Sequence, residues 1–273
     1  MIRRASACAA LALSLAAYAA DPVAFVADTK GSAMIEGDGK LGFLAELAPG
    51  TRLLLGTGAT AAVTYAASGT EFTISGPGEF LVGQDAVRAE KGAAPQRRAV
   101  ASVLDMGIVA RVSRTATASL RMRGLSPGAA AKSALEFPVN TRIASLQPTL
   151  RWRGIGGEAT VRLVDDGGRE VWKGSAKASS ARTGVKLSPA TRYTWTVMTP
   201  GGAVSEAHFE TLSAEALGRV EKSRAAAKTF SERVMHAVLL QDLGVAQEAR
   251  EAWAALASER PDLPELAVLA TAQ

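Results

Sequence analysis

The chain has 273 residues, enough for two modest domains or a few small ones. Only 5% of the residues are aromatic, so the cores are expected to be packed by small aliphatic side chains, and no region has the composition of one large enzyme core. The formal net charge of +5 is a small excess that predicts no particular partner. Cys8 is the only cysteine, and it lies in the leader described next. The rest of the sequence therefore excludes disulfides, a thiolate nucleophile and a cysteine metal site.

The N-terminal residues have the pattern of an export signal. Two arginines precede an apolar stretch over residues 9–17, which is shorter than the about 20 residues that a membrane helix needs. The small-x-small run at 17–19 is typical of a signal-peptidase site. We therefore expect a signal peptide over 1–19, cleavage after Ala19 and a periplasmic mature chain. No later segment is apolar enough to predict a transmembrane span.

Residues 20–123 are predicted to form a small antiparallel β domain. Apolar and polar residues alternate along 62–66, along 71–75 and again along 80–82, with glycine-rich turns between these runs. Period-two spacing with turn signals at about every eight to twelve residues is the usual pattern of short antiparallel strands.

Four short motifs in this region resemble the FecR-like domain. They are Gly31-Ser32-Ala33, Leu-Ala-Pro-Gly-Thr-Arg-Leu at 47–53, Thr-Gly-Ala-Thr-Ala-Ala-Val at 57–63, and Ser-Gly-Thr-Glu-Phe-Thr-Ile at 68–74. Ser68 replaces the usual Asp, and Val63 replaces the usual Leu. The regulators that name the family have a cytoplasmic segment and a membrane helix before this domain and control a sigma factor. We expect neither part here, so the resemblance implies a fold and a compartment, without sigma-factor signalling by this chain.

Basic residues outnumber acidic ones between residues 85 and 132. The functional interpretation of this excess is contact with an anionic surface, such as lipid headgroups, cell-wall polymer or an acidic partner, and the simpler interpretation is a solvated face followed by a linker. The candidate residues are Arg97, Arg98, Arg111, Arg114, Arg121 and Arg123. Alternation over 116–123 predicts a strand with two arginines facing solvent, and the small residues of 124–136 predict a linker.

Residues 137–212 are predicted to form an Ig-like β-sandwich, with Trp152 as a core tryptophan. The pattern Leu187-x-Pro189-x-x-x-Tyr193 resembles the tyrosine corner of fibronectin type III domains. In that motif the tyrosine hydroxyl bonds a backbone group a few residues upstream and fixes a strand-crossing loop, and Pro189 presets the turn. The resemblance implies a sandwich and does not specify a ligand.

Residues 213–273 change to helical spacing. We expect Ser213 to cap a helix that reaches about Asp242, a second helix from Val245 to about Ser258, and a short third helix after it. The second helix resembles that of a tetratricopeptide repeat. Since a single helical hairpin does not bury its own apolar face, we expect it to pack on the sandwich or to offer a groove to another protein.

Four patterns that occur in catalytic or metal sites have simpler explanations here. The G-x-G-x-x-G run at 37–42 lacks the helix of a dinucleotide site and predicts a β-turn. The G-x-S-x-G run at 124–128 has proline where the oxyanion hole needs an N–H. The acidic pair at 165–166 precedes two glycines and predicts a hairpin turn. His208 and His236, the only histidines, are expected as ordinary residues of a strand and a helix.

The sequence thus predicts a mainly β fold with a helical C-terminal tail: a FecR-like β domain, a fibronectin-III-like sandwich and a helical hairpin. We expect a non-enzymatic cell-envelope protein with no catalytic residue, metal or cofactor, whose partner is an envelope protein or a cell-wall polymer. Nucleic acid is not expected, because an exported chain without interleaved aromatics does not fit that role. The alternative is a periplasmic sensory or regulatory module that acts through a membrane partner. The oligomeric state stays open.

Overall fold

The structure is a computed structural model, and the residues it describes are 21–100, 104–122, 134–155, 157–202 and 204–271. Within these ranges, the side chains of 116–122 are left undescribed. The predicted signal peptide and most of the predicted linker lie outside the described residues. The described chain is mainly β with five helices, four of them in the C-terminal part, which confirms the predicted fold class. None of these helices has the length and apolar character needed to cross a bilayer.

Two five-stranded antiparallel sheets form the first β unit. Its strands are β1 Ala24–Lys30, β2 Ala33–Ile35, β3 Gly39–Lys40, β4 Glu46–Leu47, β5 Arg52–Leu55, β6 Thr60–Tyr65, β7 Thr70–Ser75, β8 Gly78–Val82, β9 Val87–Lys91 and β10 Gln96–Ala99. The strand orders are β10-β7-β6-β1-β4 and β3-β2-β5-β8-β9. Apolar residues of both sheets form one core, in which Ile74 and Phe80 are fully buried.

The β6–β7 hairpin shows how the sequence produces this unit. Val63 lies opposite Phe72, so the period-two apolar residues of the two strands share the core face. The next turn needs a glycine for steric reasons, because a Cβ on Gly76 would lie 2.0 Å from the carbonyl oxygen of Gly56. Alternation thus predicts the shared face of this hairpin, and a glycine permits the turn that follows it.

A helix of 17 residues, α1 (Met106–Met122), follows the first β unit. We predicted a strand over 116–123, but the structure has helix through Met122, so this prediction is wrong for residues 116–122. Alternation over so short a run does not separate a strand from a helix. The better signal lies just upstream, where the buried residues Ile108, Val109 and Val112 have helical spacing.

Two further sheets stack as a β-sandwich. Its strands are β11 Leu135–Phe137, β12 Thr141–Ile143, β13 Thr149–Trp152, β14 Ala159–Asp165, β15 Glu170–Ala176, β16 Ser180–Arg182, β17 Arg192–Met198 and β18 Val204–Thr211. The strand orders are β11-β13-β16 and β12-β18-β17-β14-β15, and β12 runs parallel to β18. As predicted, Trp152 lies in the core; its ring centroid is 6.5 Å from that of Trp195.

The loop between Leu187 and Tyr193 closes one end of the sandwich. The backbone N–H of Ser188 donates a hydrogen bond to the Tyr193 hydroxyl at 2.9 Å. Tyr193 is buried and stacks on Phe209 with ring centroids 5.5 Å apart, while Leu187 is buried and Pro189 is exposed. The hydroxyl therefore ties the loop to the strand that follows it.

Tyr193→Phe is expected to lower the free energy of unfolding by about 1 kcal/mol, because the Ser188 N–H loses its acceptor while the ring packing is kept. Urea unfolding measures the change. Tyr65→Phe is the matched comparison in the first β unit, where the hydroxyl donates to the Gly83 carbonyl oxygen at 3.0 Å. An unchanged midpoint for Tyr193→Phe would mean that the hydrogen bond does not stabilise the loop.

Four helices complete the chain: α2 Ala214–Ala226, α3 Phe230–Asp242, α4 Ala246–Glu259 and α5 Pro264–Thr271. Ser213 caps α2 as predicted, and the predicted second and third helices are confirmed as α4 and α5. The single helix predicted from Ser213 to Asp242 is wrong, because α2 and α3 are separate. Thr229 starts α3 through a capping box, in which its side chain accepts the Glu232 N–H and the Glu232 carboxylate accepts the Thr229 N–H.

Helices α2 to α5, hereafter the helical layer, share one buried cluster with both β units. Phe25 and Phe43 of the first unit and Ala144 of the sandwich belong to that cluster, as does Val109 of α1. Trp253 of α4 meets Phe43 edge-on, with ring centroids 6.5 Å apart and an interplanar angle of 89°. The apolar face of the predicted hairpin is thus covered within the chain, by both β units.

Candidate functional site

Arg98 on the edge strand β10 joins the first β unit to the helical layer. Its guanidinium donates to Glu71 Oε1 at 2.7 Å and to Glu232 Oε1 at 3.1 Å. It also donates to the hydroxyls of Thr229 and Ser231, at 2.9 and 2.7 Å. The Glu71 side chain is 3% exposed, and a carboxylate so deeply buried needs a counterion. Arg98 is therefore part of an internal network.

Arg260, just after α4, forms a second junction between the same two parts. It pairs with Asp28 of β1, lies 2.7 Å from Asp262 Oδ2, and donates to the Thr29 carbonyl oxygen at 2.7 Å. Its side chain is 9% exposed, and the guanidinium carbon lies 5.3 Å from the centroid of the Phe230 ring. Hydrogen bonds from Arg260 lower the pKa of Asp262 to about 2.

The first turn of α4 bonds the helical layer to the sandwich. The Val139 N–H donates to Gln247 Oε1 at 2.9 Å, and the Gln247 side-chain amide donates to the Glu136 carbonyl oxygen at 2.6 Å. The Ala144 N–H donates to Glu248 Oε1 at 3.2 Å. Burial raises the pKa of Glu248. Polar contacts thus hold the helical layer to each β unit, in addition to the shared core.

The arginines predicted to contact an anionic surface are used in different ways. Arg98 belongs to the junction just described, and Arg111 pairs with Asp242 at the end of α3. Arg97 and Arg114 are exposed, on β10 and α1, and form no ion pair within the described residues. Arg98 and Arg111 therefore join parts of the chain to each other, which the local charge excess did not indicate.

Other residues of that prediction lie outside the described part of the chain. These are Arg123 and the side chain of Arg121, together with the G-x-S-x-G run at 124–128. Their proposed surface contact stays a prediction. The G-x-G-x-x-G run is described: its first residues turn the chain between β2 and β3, and Gly37 has a positive φ that glycine adopts without strain.

The two histidines lie in separate elements. His208 is exposed on β18, with Nδ1 2.9 Å from the Thr194 hydroxyl oxygen, and His236 is on α3, with Nδ1 3.2 Å from Ser223 Oγ. Asp165 accepts hydrogen bonds inside the β14–β15 turn. Across the described ranges, no three His, Cys, Asp or Glu side chains are grouped as metal ligands would be.

A groove of about 400 Å³ lies between the sandwich and α2, hereafter the sandwich–α2 groove. Its polar and charged lining residues are Ser145, Gln147, Arg182, Lys186, Glu221 and Arg224. Arg224 donates to Glu221 Oε1 at 2.6 Å, which neutralises both. Arg182 and Lys186 have no acidic partner among the described residues. The groove therefore carries two positive charges that the protein leaves unpaired, and it is our candidate binding site.

The sequence gives no local signal for this groove. Arg182 ends β16, Lys186 follows in the next loop, and Arg224 lies in the last turn of α2. These residues come together only because α2 packs beside the sandwich. No family model matches the chain, and the search of curated proteins finds no significant match.

The contact between α2 and α3 is expected to weaken in acid because of His236. Burial lowers the pKa of its imidazole, Arg224 lowers it further, and Glu221 opposes the shift. The unfolded chain therefore binds the proton more readily than the folded chain. The contribution of the neutral imidazole to the free energy of unfolding is fully present above about pH 6.5, and it is lost as the pH falls through the lowered pKa.

Urea unfolding at several values from about pH 8 to about pH 5 measures this dependence. His236→Gln keeps a polar side chain without the titration and is expected to flatten the profile in the acid range. Wild-type and variant profiles with the same slope would contradict the assignment of this pH dependence to His236.

Proposed function

We propose that this chain is a non-enzymatic, exported protein of the bacterial cell envelope that binds a partner protein or an envelope polymer. The leader pattern over 1–19 supports export. The motifs that resemble a FecR-like domain support the compartment, and the tyrosine-corner pattern supports a fibronectin-III-like recognition module. In this proposal the protein presents binding surfaces and does not catalyse a reaction.

One observation carries this proposal: the helical layer is bonded to both β units and shares a core with them. Such an arrangement presents surfaces of two β units and a helix in fixed positions. A rigid surface loses little conformational entropy on binding, which favours affinity. The carboxylates of Glu71 and Asp28 are paired with arginines at the junctions, so they contribute to this rigidity.

Capture from envelope extract tests the proposal. The mature chain, immobilised through its C-terminus, is expected to retain a defined envelope component, and Trp253→Ala is expected to retain less because it loosens the helical layer. Failure to retain anything above background, together with failure to sediment with purified peptidoglycan, would contradict the proposed function.

Sedimentation with peptidoglycan at low and high salt separates polymer binding from protein binding. A contact that depends on charge weakens as salt rises, because screening shortens the range of the attraction. Arg97→Gln with Arg114→Gln removes the two exposed members of the predicted basic surface that form no ion pair within the described residues. If the wild type sediments with the polymer in a salt-dependent way and the variant does not, Arg97 and Arg114 contribute to the polymer contact. If the variant sediments as the wild type does, these two residues do not contribute to it.

A further inference from the structure

We propose that the sandwich–α2 groove binds a phosphate group of a soluble envelope polymer. This inference rests on the proposed function and gives it a ligand chemistry and a location. It is carried by the charge of the groove, its shape and its hydrogen-bonding groups.

The groove brings two cations into the lining of one cavity. Most described arginines lie within 4.0 Å of an acidic oxygen, as Arg151 and Arg162 do. Arg182 and Lys186 line one cavity and have no such partner within the described ranges. An anion that binds in this cavity would be attracted by both cations.

The groove has room for a small anionic group. Its volume of about 400 Å³ is within the range of small-molecule sites. Ser145 contributes a hydroxyl and Gln147 an amide to the same lining, and both can donate hydrogen bonds. Leu146 and Leu217 form an apolar part of the walls.

Phosphate fits these groups better than the alternatives. A phosphate ester offers several acceptor oxygens and up to about two negative charges, whereas a carboxylate offers two oxygens and one charge. An arginine and a lysine with two neutral donors match the larger set. We assign the phosphate to a soluble chain, and the vesicle measurement below distinguishes that source from a lipid headgroup.

Calorimetric titration of the mature chain with inorganic tripolyphosphate tests the proposal. Saturable binding is expected. Replacing both groove cations, Arg182→Gln with Lys186→Gln, is expected to weaken it by about tenfold or more, because charged hydrogen bonds are lost. Arg88→Gln with Lys173→Gln is the matched control, since both residues are exposed and the net charge changes equally. This control is expected to weaken binding by less than about twofold.

Three results would overturn the proposal: no saturable binding of tripolyphosphate, equal weakening in both variants, or groove-dependent binding seen only with phosphatidylglycerol vesicles. The circular-dichroism spectra and urea midpoints of the variants confirm that they are folded. If the wild type does not bind tripolyphosphate, and the Arg182→Gln, Lys186→Gln variant retains the envelope component as the wild type does, the groove assignment fails and the proposed function stands. If the wild type binds tripolyphosphate but no envelope component, the proposed function fails instead.

Discussion

Trp253→Ala is expected to lower the free energy of unfolding by about 3 to 5 kcal/mol, the usual cost of removing a buried tryptophan. Its side chain is 1% exposed, meets Phe43 of the first β unit edge-on, and donates from Nε1 to Gln241 Oε1 at 2.8 Å. The substitution therefore leaves a cavity where the helical layer meets the first β unit. Urea unfolding measures the loss.

Trp172→Ala is the matched control for this prediction. Trp172 lies on the edge strand β15 and is only partly buried, so its loss is expected to cost about 1 to 2 kcal/mol. A Trp253→Ala effect no larger than that of Trp172→Ala would mean that the contact between α4 and the first β unit contributes little to stability.

Arg260→Ala is expected to cost about 3 kcal/mol, because it removes one partner of a buried ion pair. The change leaves the partly buried Asp28 carboxylate without its counterion and the Thr29 carbonyl oxygen without its donor. It also removes the guanidinium from the Phe230 ring. Arg260→Lys is expected to be intermediate, since lysine keeps the charge but lacks the planar set of donors that reaches several acceptors.

The control for Arg260 is Arg162→Ala. Arg162 pairs with Glu170 on the sandwich surface, where the two side chains are 54% and 42% exposed. Pairs this exposed contribute less than about 1 kcal/mol. Equal destabilisation by the two substitutions would show that the Arg260 junction is no stronger than a surface pair.

Short-range patterns in the sequence predict the local elements well. Alternation along β6 and β7 places Val63 and Phe72 on a common face, and Ser213 caps a helix as its position suggests. The break between α2 and α3 also has a local signal, the Thr-x-x-Glu pattern of Thr229 and Glu232, which the prediction of one long helix overlooked. Such features depend on residues that are close in sequence.

Long-range contacts are the part that the sequence does not predict. Arg98 and Glu232 are 134 positions apart, so no spacing rule relates them, and the basic residues around Arg98 pointed instead to an external anionic surface. The same holds for the sandwich–α2 groove, since Arg182 and Arg224 become neighbours only after α2 packs beside the sandwich. Both arrangements depend on tertiary packing, which single-sequence periodicity does not encode.

Amide hydrogen exchange, measured residue by residue on the wild type and on Trp253→Ala, tests most directly whether the helical layer and the first β unit share one cooperative core. The shared cluster containing Phe25 and Trp253 predicts that amides of β1 and of α4 lose protection together in the variant. Wild-type protection throughout β1, alongside lost protection in α4, would contradict the account.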